Sequence, residues 1–137
     1  MLKYVPLANS VLSRRQLLTA VAVGVFFWFL GVLLVRNAPW LHGSRAASLL
    51  HMAMQIPAGA FSLAVLDRAV RPETALIRVA AVLAACAAAA LLDGTLLALL
   101  PDLYGGVSVS THHGAALLLW AFGVIMLMAV PKDIKEE

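Results

Sequence analysis

Four apolar runs constrain this chain more than any other feature, because each is long enough to cross a lipid bilayer as a helix. They cover residues 17–35, 46–66, 75–100 and 112–130. A hydrocarbon core of about 30 Å requires roughly 20 mostly apolar residues per helical crossing. Of the 137 residues, 12% are charged, about half the share found in soluble domains. We therefore expect one all-α domain over residues 1–137, an integral membrane bundle of four transmembrane helices with up-down-up-down topology.

The connections between the runs are short and polar. Residues 67–74 (DRAVRPET) predict the second loop, and Ser110 or Thr111 is placed to cap the fourth helix. Pro57 lies inside the second run, where it removes a backbone donor and predicts a kink. In the first run, Gly24 and Gly31 are seven residues apart on one helix face, and the third run is rich in alanine. Small residues of this kind allow transmembrane helices to approach closely.

The basic residues predict the orientation. With both termini in the cytoplasm, the positively charged side chains of the cytoplasmic flanks are Lys3, Arg14, Arg15, Arg68, Arg71, Arg78, Lys132 and Lys135, and those outside are Arg36 and Arg45. This follows the positive-inside rule. Because these residues lie at the ends of apolar runs rather than in one patch, we expect no nucleic acid partner. The string SRRQLL resembles a twin-arginine export signal, but no A-x-A site follows it, which favours a basic flank instead.

Asp93 lies inside the third run, where an ionisable side chain costs about 2.5–3.5 kcal/mol at the bilayer centre and usually faces the bundle interior. Arg36 closes the first run. At about 1.5 Å of rise per residue, the two residues lie at nearly the same height near the outer end. The sequence therefore predicts an ion pair between Asp93 and Arg36.

Four more polar side chains lie toward the outer end of the second and fourth runs: His51, Gln55, His112 and His113. His51 and Gln55 are four residues apart and share a helix face. The adjacent His112 and His113 point to different sides of a helix, so they do not form a metal site of the i, i+4 type. A haem held between His51 and one of them is a further hypothesis, weakened by their difference in depth. We expect no cofactor and no metal.

Two interpretations of this predicted outer polar cluster stay open. In one, Asp93 and Arg36 fix the helix register and His51 and Gln55 hydrogen-bond between helices. In the other, the same groups line a cavity that binds or passes a small polar ligand or a proton. The sequence has no catalytic triad, H-E-x-x-H or phosphate loop. The lone Cys86 excludes an intrachain disulfide. The sequence therefore gives no sign of an enzyme.

Four strings resemble a family of small, four-span bacterial membrane proteins classed as a domain of unknown function. They are WFLGVLLVR at 28–36, LLDG at 91–94, PDLYGGVS at 101–108 and HGAALLLWAFGVIMLMA at 113–129. Phe122 departs from the family's pattern, which has tyrosine in this part of the fourth span. The resemblance implies four spans and a bacterial plasma membrane. It implies no activity and no catalytic residues.

These observations give a leading hypothesis and two alternatives for the function. The leading hypothesis is a structural or accessory multi-pass membrane protein without enzymatic activity. Its partners are the lipid bilayer and either a second copy of the chain or a larger membrane protein. The first alternative is a small-solute or proton transporter that uses the polar cluster around Asp93. The second is an electron-transfer protein that holds its cofactor through the histidines.

Overall fold

The computed structural model describes residues 11–106 and 108–130, and within these ranges all regular structure is helical. The four long helices are α1 (Arg14–Asn37), α2 (Arg45–Val70), α3 (Ala75–Leu99) and α4 (Val109–Ala129). Short 3-10 turns cover Pro39–Leu41 and Pro101–Tyr104. All four long helices contain a stretch long and apolar enough to span a membrane. The predicted all-α architecture with four membrane-length helices is thus confirmed. Lys3, Lys132 and Lys135 lie outside the described residues.

Each long helix begins after a hydroxyl side chain that accepts a backbone N–H bond: Ser13, Ser44, Thr74 and Ser108. Such caps satisfy donors that have no partner within the helix. The prediction that Ser110 or Thr111 caps α4 was wrong. Ser108 is the cap, and its hydroxyl accepts from the backbone N–H of Thr111 at 3.1 Å. The helix starts earlier than expected because the preceding turn is already complete at Gly105 and Gly106, which both have positive φ angles.

The second helix is longer than the apolar run that predicted it. It continues without interruption past Pro57 and through the first part of the expected loop 67–74. Arg71 ends the helix in the left-handed conformation, with φ of 53°, and its N–H bonds to the Asp67 carbonyl. The Asp67 carboxylate in turn accepts from Arg78 Nε at 2.9 Å across the turn. Asp67 is therefore accommodated within the helix because Arg78 of α3 pairs with its carboxylate.

The closest helix contact joins α1 to α3. Gly24 lies directly against the backbone of Ala85, so that a Cβ at this position would collide with the Ala85 carbonyl. Further along the same two helices, Trp28 contacts Asp93. Residue numbers rise together along this contact, so α1 and α3 run in the same direction. The close packing predicted for Gly24 and for the alanine-rich helix is confirmed, whereas their pairing with each other was not predicted, and Gly31 lies instead against Leu118 of α4.

The fourth helix runs opposite to the first. Gly31 lies against Leu118, whereas Val35, further along α1, lies against Gly114, which is earlier in α4. In α2, Gly59 packs against Ile125, and this helix makes its most extensive contact with α4. With short connections between consecutive helices, the directions alternate along the chain. Each helix nevertheless packs most closely on the helix two positions away in sequence.

Two buried apolar clusters fill the bundle. The cluster nearer the Arg14 end of α1 contains Ala20, Leu63, Leu66, Val70, Ala81, Val82, Ala85, Cys86 and Ala129. The cluster nearer the other end contains Val32, Val35, Tyr104 and Leu118. Many other large apolar side chains point outward, as expected of helices whose outer faces contact lipid. The polar residues of interest lie around the second cluster.

Candidate functional site

A buried hydrogen-bonded network surrounds Asp93, whose side chain is 4% exposed. The hydroxyl of Tyr104 donates to Asp93 Oδ1 at 2.5 Å, and the indole Nε1 of Trp28 donates to the same oxygen at 2.8 Å. The indole N–H also lies 3.2 Å from the Tyr104 hydroxyl oxygen. The network therefore joins α1, α3 and the turn after α3 at one point.

The turn at Pro101–Tyr104 brings the tyrosine back over the end of α3. Gly105 follows it with φ of 100°, a conformation that side chains other than glycine adopt with strain. Tyr104 is 1% exposed, and burial, reinforced by its bond to Asp93, raises the pKa of its hydroxyl above the ordinary value. The phenol therefore stays protonated and acts as a donor to the carboxyl group.

The predicted ion pair between Arg36 and Asp93 was wrong. Both residues are described, and the Arg36 side chain is exposed while Asp93 is held by Trp28 and Tyr104. The register of the helices gives the reason. With Gly24 opposite Ala85, Asp93 faces the level of Val32, about one helical turn short of Arg36. Trp28 lies one turn before Val32 in α1, and its long indole reaches the carboxyl group of Asp93. The ion pair that the described residues do form is Asp67–Arg78.

A second polar group contains three of the four histidines. The amide Nε2 of Gln55 lies 2.8 Å from His51 Nε2, so these two residues do share a face and bond to each other. The ring of His42 lies 5.4 Å from that of His51, centroid to centroid. His113 Nδ1 lies 3.4 Å from the His42 carbonyl oxygen. We call His42, His51, Gln55 and His113 the histidine cluster.

His42 was not predicted as a site residue, yet it is the most buried member of the cluster, at 1% exposed. Neither of its ring nitrogens has a hydrogen bond of ordinary geometry among the described residues. Burial lowers the pKa of His42, and repulsion from His51 and His113 lowers it further, with a small opposing effect of the Val35 backbone. The ring is therefore held in its neutral form.

The Gln55 contact assigns the proton on His51. An amide nitrogen can only donate, so His51 Nε2 accepts, and the proton of a neutral ring is then on Nδ1. His51 is 5% exposed, and its Nδ1 has no partner in the described part of the chain. A buried imidazole N–H without an acceptor is uncommon and marks a place where a water or another polar group is readily bound.

The structure divides the predicted outer polar cluster into two separate groups. Val35 belongs to the apolar cluster that buries Tyr104 and also lies beside Gly114, which faces His42. In the part of the chain that the structure describes, no hydrogen bond or ion pair joins the Asp93 network to the histidine cluster. His112 is exposed. Among the described residues, no three histidine, cysteine or acidic side chains are arranged to hold a metal ion.

A cavity of about 320 Å³ lies among the four helices below the histidine cluster. Gln55 is on its wall, whereas Asp93 and His51 are not. Trp28 belongs both to the cavity wall and to the Asp93 network, since it lines the cavity and its Nε1 donates to Asp93. Sequence reasoning missed Trp28 and Tyr104 as functional residues, although both stand in the strings that resemble the four-span family.

The fold and these two groups define a class, a bundle of four helices that are long and apolar enough to span a membrane, with buried polar groups at one end. Comparison of this chain with protein-family models, with curated proteins and with solved structures finds no significant match. The resemblance to the four-span bacterial family therefore stays a prediction.

Proposed function

We propose that this chain is a structural or accessory multi-pass protein of the bacterial plasma membrane, without enzymatic activity of its own. The observation that carries the proposal is the enclosure of Asp93. Both donors that reach it, Trp28 and Tyr104, are themselves built into the helix packing, and Asp93 is not on the cavity wall. A carboxyl group held in this way serves to fix the helix register rather than to carry a solute.

The distribution of basic residues supports a cytoplasmic location for both termini. Of the described arginines, Arg14 and Arg15 begin α1, and Arg68, Arg71 and Arg78 lie around the turn between α2 and α3 at the same end of the bundle. Only Arg36 and Arg45 lie at the other end. In this orientation the Asp93 network and the histidine cluster lie in the outer half of the membrane.

Reconstitution into liposomes tests the proposed accessory function. We expect the purified protein to produce no proton or small-solute flux above that of empty liposomes. We also expect Asp93→Asn to leave the protein folded, because asparagine keeps an oxygen that accepts from Trp28 and Tyr104. Flux in the native protein that Asp93→Asn abolishes would refute the proposal.

The accessory function also requires a partner in the membrane. The outer faces of the helices carry large exposed apolar side chains, such as Leu91 at 71% and Leu127 at 75% exposed. Photo-crosslinking from position 91 in intact membranes is expected to yield a defined adduct, either with a second copy or with one larger membrane protein. Adducts with lipid alone from several such positions would contradict this part of the proposal.

A second candidate function, transport of a proton or small polar solute, is supported by the buried His51 Nδ1, which has no hydrogen-bond partner among the described residues, and by the buried His42 ring beside it. Gln55 connects these rings to the cavity. The liposome assay separates the two candidates when repeated with His51→Phe. Flux that depends on His51 but not on Asp93 would favour transport through the histidine cluster, and the absence of flux favours the accessory protein.

A further inference from the structure

The central cavity is a continuous slot that runs along the bundle axis. Its walls come from all four helices, over residues 23–34 of α1, 55–66 of α2, 82–89 of α3 and 118–125 of α4. The lining on α1 extends for roughly 16 Å at the rise of an α-helix. The cavity volume of about 320 Å³ is spread over this length. The slot is therefore long and narrow.

The slot opens sideways, between α1 and α2. Leu30 and Leu34 of α1 and Ala58 and Phe61 of α2 line it and are exposed on the outer surface of the bundle. The rings of Phe27 and Phe61 meet edge to face across this opening, 6.2 Å between centroids. The back wall, in contrast, is formed by buried residues of α3, including Val82 at 1% exposed. A molecule dissolved in the acyl chains of the bilayer can thus enter laterally.

The chemistry of the slot restricts what can occupy it. None of the side chains on its wall is charged, and most are aliphatic or aromatic. An apolar cavity of about 150 Å³ stays dry and binds benzene, and this one has about twice that volume. Water is therefore a poor occupant of the slot, and the charged head group of a phospholipid is excluded.

Two polar side chains of α2 line the slot: Gln55 near its outer end, and Ser62, whose hydroxyl already donates to the Ala58 carbonyl at 2.9 Å. Gln55 lies on the wall, and because its Nε2 is engaged by His51, the amide oxygen is the hydrogen-bonding group left for a ligand. An acceptor in an apolar site selects a ligand with a donor, because an unmatched polar group is costly there. A hydroxyl group is the uncharged donor that meets this requirement.

We propose that the slot binds an uncharged lipid with one aliphatic chain and a hydroxyl head, which enters between α1 and α2 and donates a hydrogen bond to Gln55. The chain extends toward the Arg14 end of α1, past Phe27 to the level of Leu66 and Val82. Two sources have this chemistry, a straight-chain alcohol and a prenyl alcohol, and both fill a slot of this width with a single chain.

The test uses the full-length protein in lipid nanodiscs and two photoactivatable probes. One probe is a straight-chain alcohol and the other a prenyl alcohol of equal length, each with a diazirine at the tail end. We expect at least one probe to form covalent adducts on Leu66 or Val82, which are buried and line the slot. The probe that labels these residues more strongly shows whether the ligand is a straight-chain alcohol or a prenyl alcohol. Adducts confined to outward residues such as Leu76 and Leu91 would overturn the proposal.

Two alanines of α2 provide a matched pair of variants for the opening. Ala58 and Ala60 are both exposed on this helix, but only Ala58 lines the slot. We expect Ala58→Trp to block the opening and abolish labelling of Val82, and Ala60→Trp to leave labelling unchanged. Equal labelling in the two variants would contradict lateral entry, and thermal unfolding checks that both are folded.

Gln55→Leu tests the contact with the head group. Loss of one hydrogen bond is expected to weaken binding of the alcohol probe about fivefold. A hydrocarbon probe of the same length without the hydroxyl should bind this variant and the native protein equally. An alcohol affinity that does not change in Gln55→Leu would refute the assigned role of Gln55, and the Ala58 and Ala60 pair still tests the slot itself.

Discussion

The indole Nε1 of Trp28 lies 2.8 Å from Asp93 Oδ1, across a separation of 65 residues in the sequence. Together with the Tyr104 hydroxyl, this contact gives Oδ1 of the α3 carboxyl group two neutral donors and no cation, while the buried Oδ2 has no hydrogen-bond partner among the described residues. Neutral partners avoid a second desolvated charge, which would itself be costly inside a membrane. The network thus places a carboxyl group between helices without an ion pair.

The first prediction concerns the donors to Asp93. We expect Trp28→Phe and Tyr104→Phe each to lower the free energy of unfolding by about 1–3 kcal/mol, because each leaves a buried carboxyl oxygen with one donor fewer. Reversible unfolding of the detergent-solubilised protein measures the change. Trp40→Phe is the matched control, since Trp40 is 70% exposed. Equal stabilities for Trp28→Phe and Trp40→Phe would be incompatible with the network.

The second prediction concerns Arg36, which is exposed. Arg36→Gln is expected to change the free energy of unfolding by less than about 0.5 kcal/mol, as for other surface substitutions. Had Arg36 been the partner of Asp93, its removal would cost about 3–5 kcal/mol by leaving a buried charge unpaired.

Arg78→Gln serves as the comparison, because Arg78 does form an ion pair. Its side chain and that of Asp67 are 35% and 34% exposed, so solvent screens the pair. We expect a loss of about 0.2–1 kcal/mol that diminishes with added salt. If Arg36→Gln lowers stability more than Arg78→Gln does, the conclusion that Arg78 and not Arg36 forms an ion pair is wrong.

The third prediction concerns the contact of α1 with α3. Gly24→Ala places a methyl group against the Ala85 backbone, which cannot move aside as a flexible side chain would. We expect this substitution to destabilise the protein by about 1–3 kcal/mol, measured by thermal or denaturant unfolding. The same substitution at Gly94, where no atom lies within 4 Å of the new methyl group, is the control. It should be neutral or raise stability by up to about 1 kcal/mol.

The fourth prediction concerns pH. The pKa of His42 is lowered in the folded protein, so below its ordinary value of 6.5 the unfolded chain binds a proton that the folded chain resists. Stability is therefore full above this pH and decreases as the pH falls through it. Unfolding temperatures between pH 8 and pH 5 should show this decrease.

His42→Phe should reduce the pH dependence, since the phenyl ring occupies the site of the imidazole without titrating. His112→Gln is the control, because His112 is exposed and lies outside the histidine cluster. An unchanged pH profile in His42→Phe would show that other groups account for the decrease.

The helices were predictable from sequence because a hydropathy signal accumulates over about 20 residues and survives local exceptions. The burial of Asp93 followed from the same argument, since the lipid excludes a carboxyl group. The hydrogen-bond partners of Asp93 could not be predicted in this way. Trp28 is counted as apolar in any hydropathy pattern, and Tyr104 lies in a loop. The level of Arg36 relative to Asp93 also depends on the packing of Gly24 against Ala85. This is a relation between two helices, and no local sequence pattern determines it.

The role of His42 was missed for a related reason. It lies in the connection between α1 and α2, and loop residues are ordinarily expected at the surface. The 3-10 turn at Pro39–Leu41 instead directs His42 back onto His51. The compact spacing of Pro39 and Gly43 around this histidine is the signal in the sequence that indicates a tight connection.

The packing of α1 on α3 and of α2 on α4 has a consequence for biogenesis. If the helices enter a bilayer in the order in which they are synthesised, the first hairpin contains two helices that each make their main contact with a later helix. Gly24 of α1 then meets Ala85 only after α3 has been inserted, and α2 meets its main partner only after α4. In that order, both principal contacts of the bundle form in the later half of synthesis.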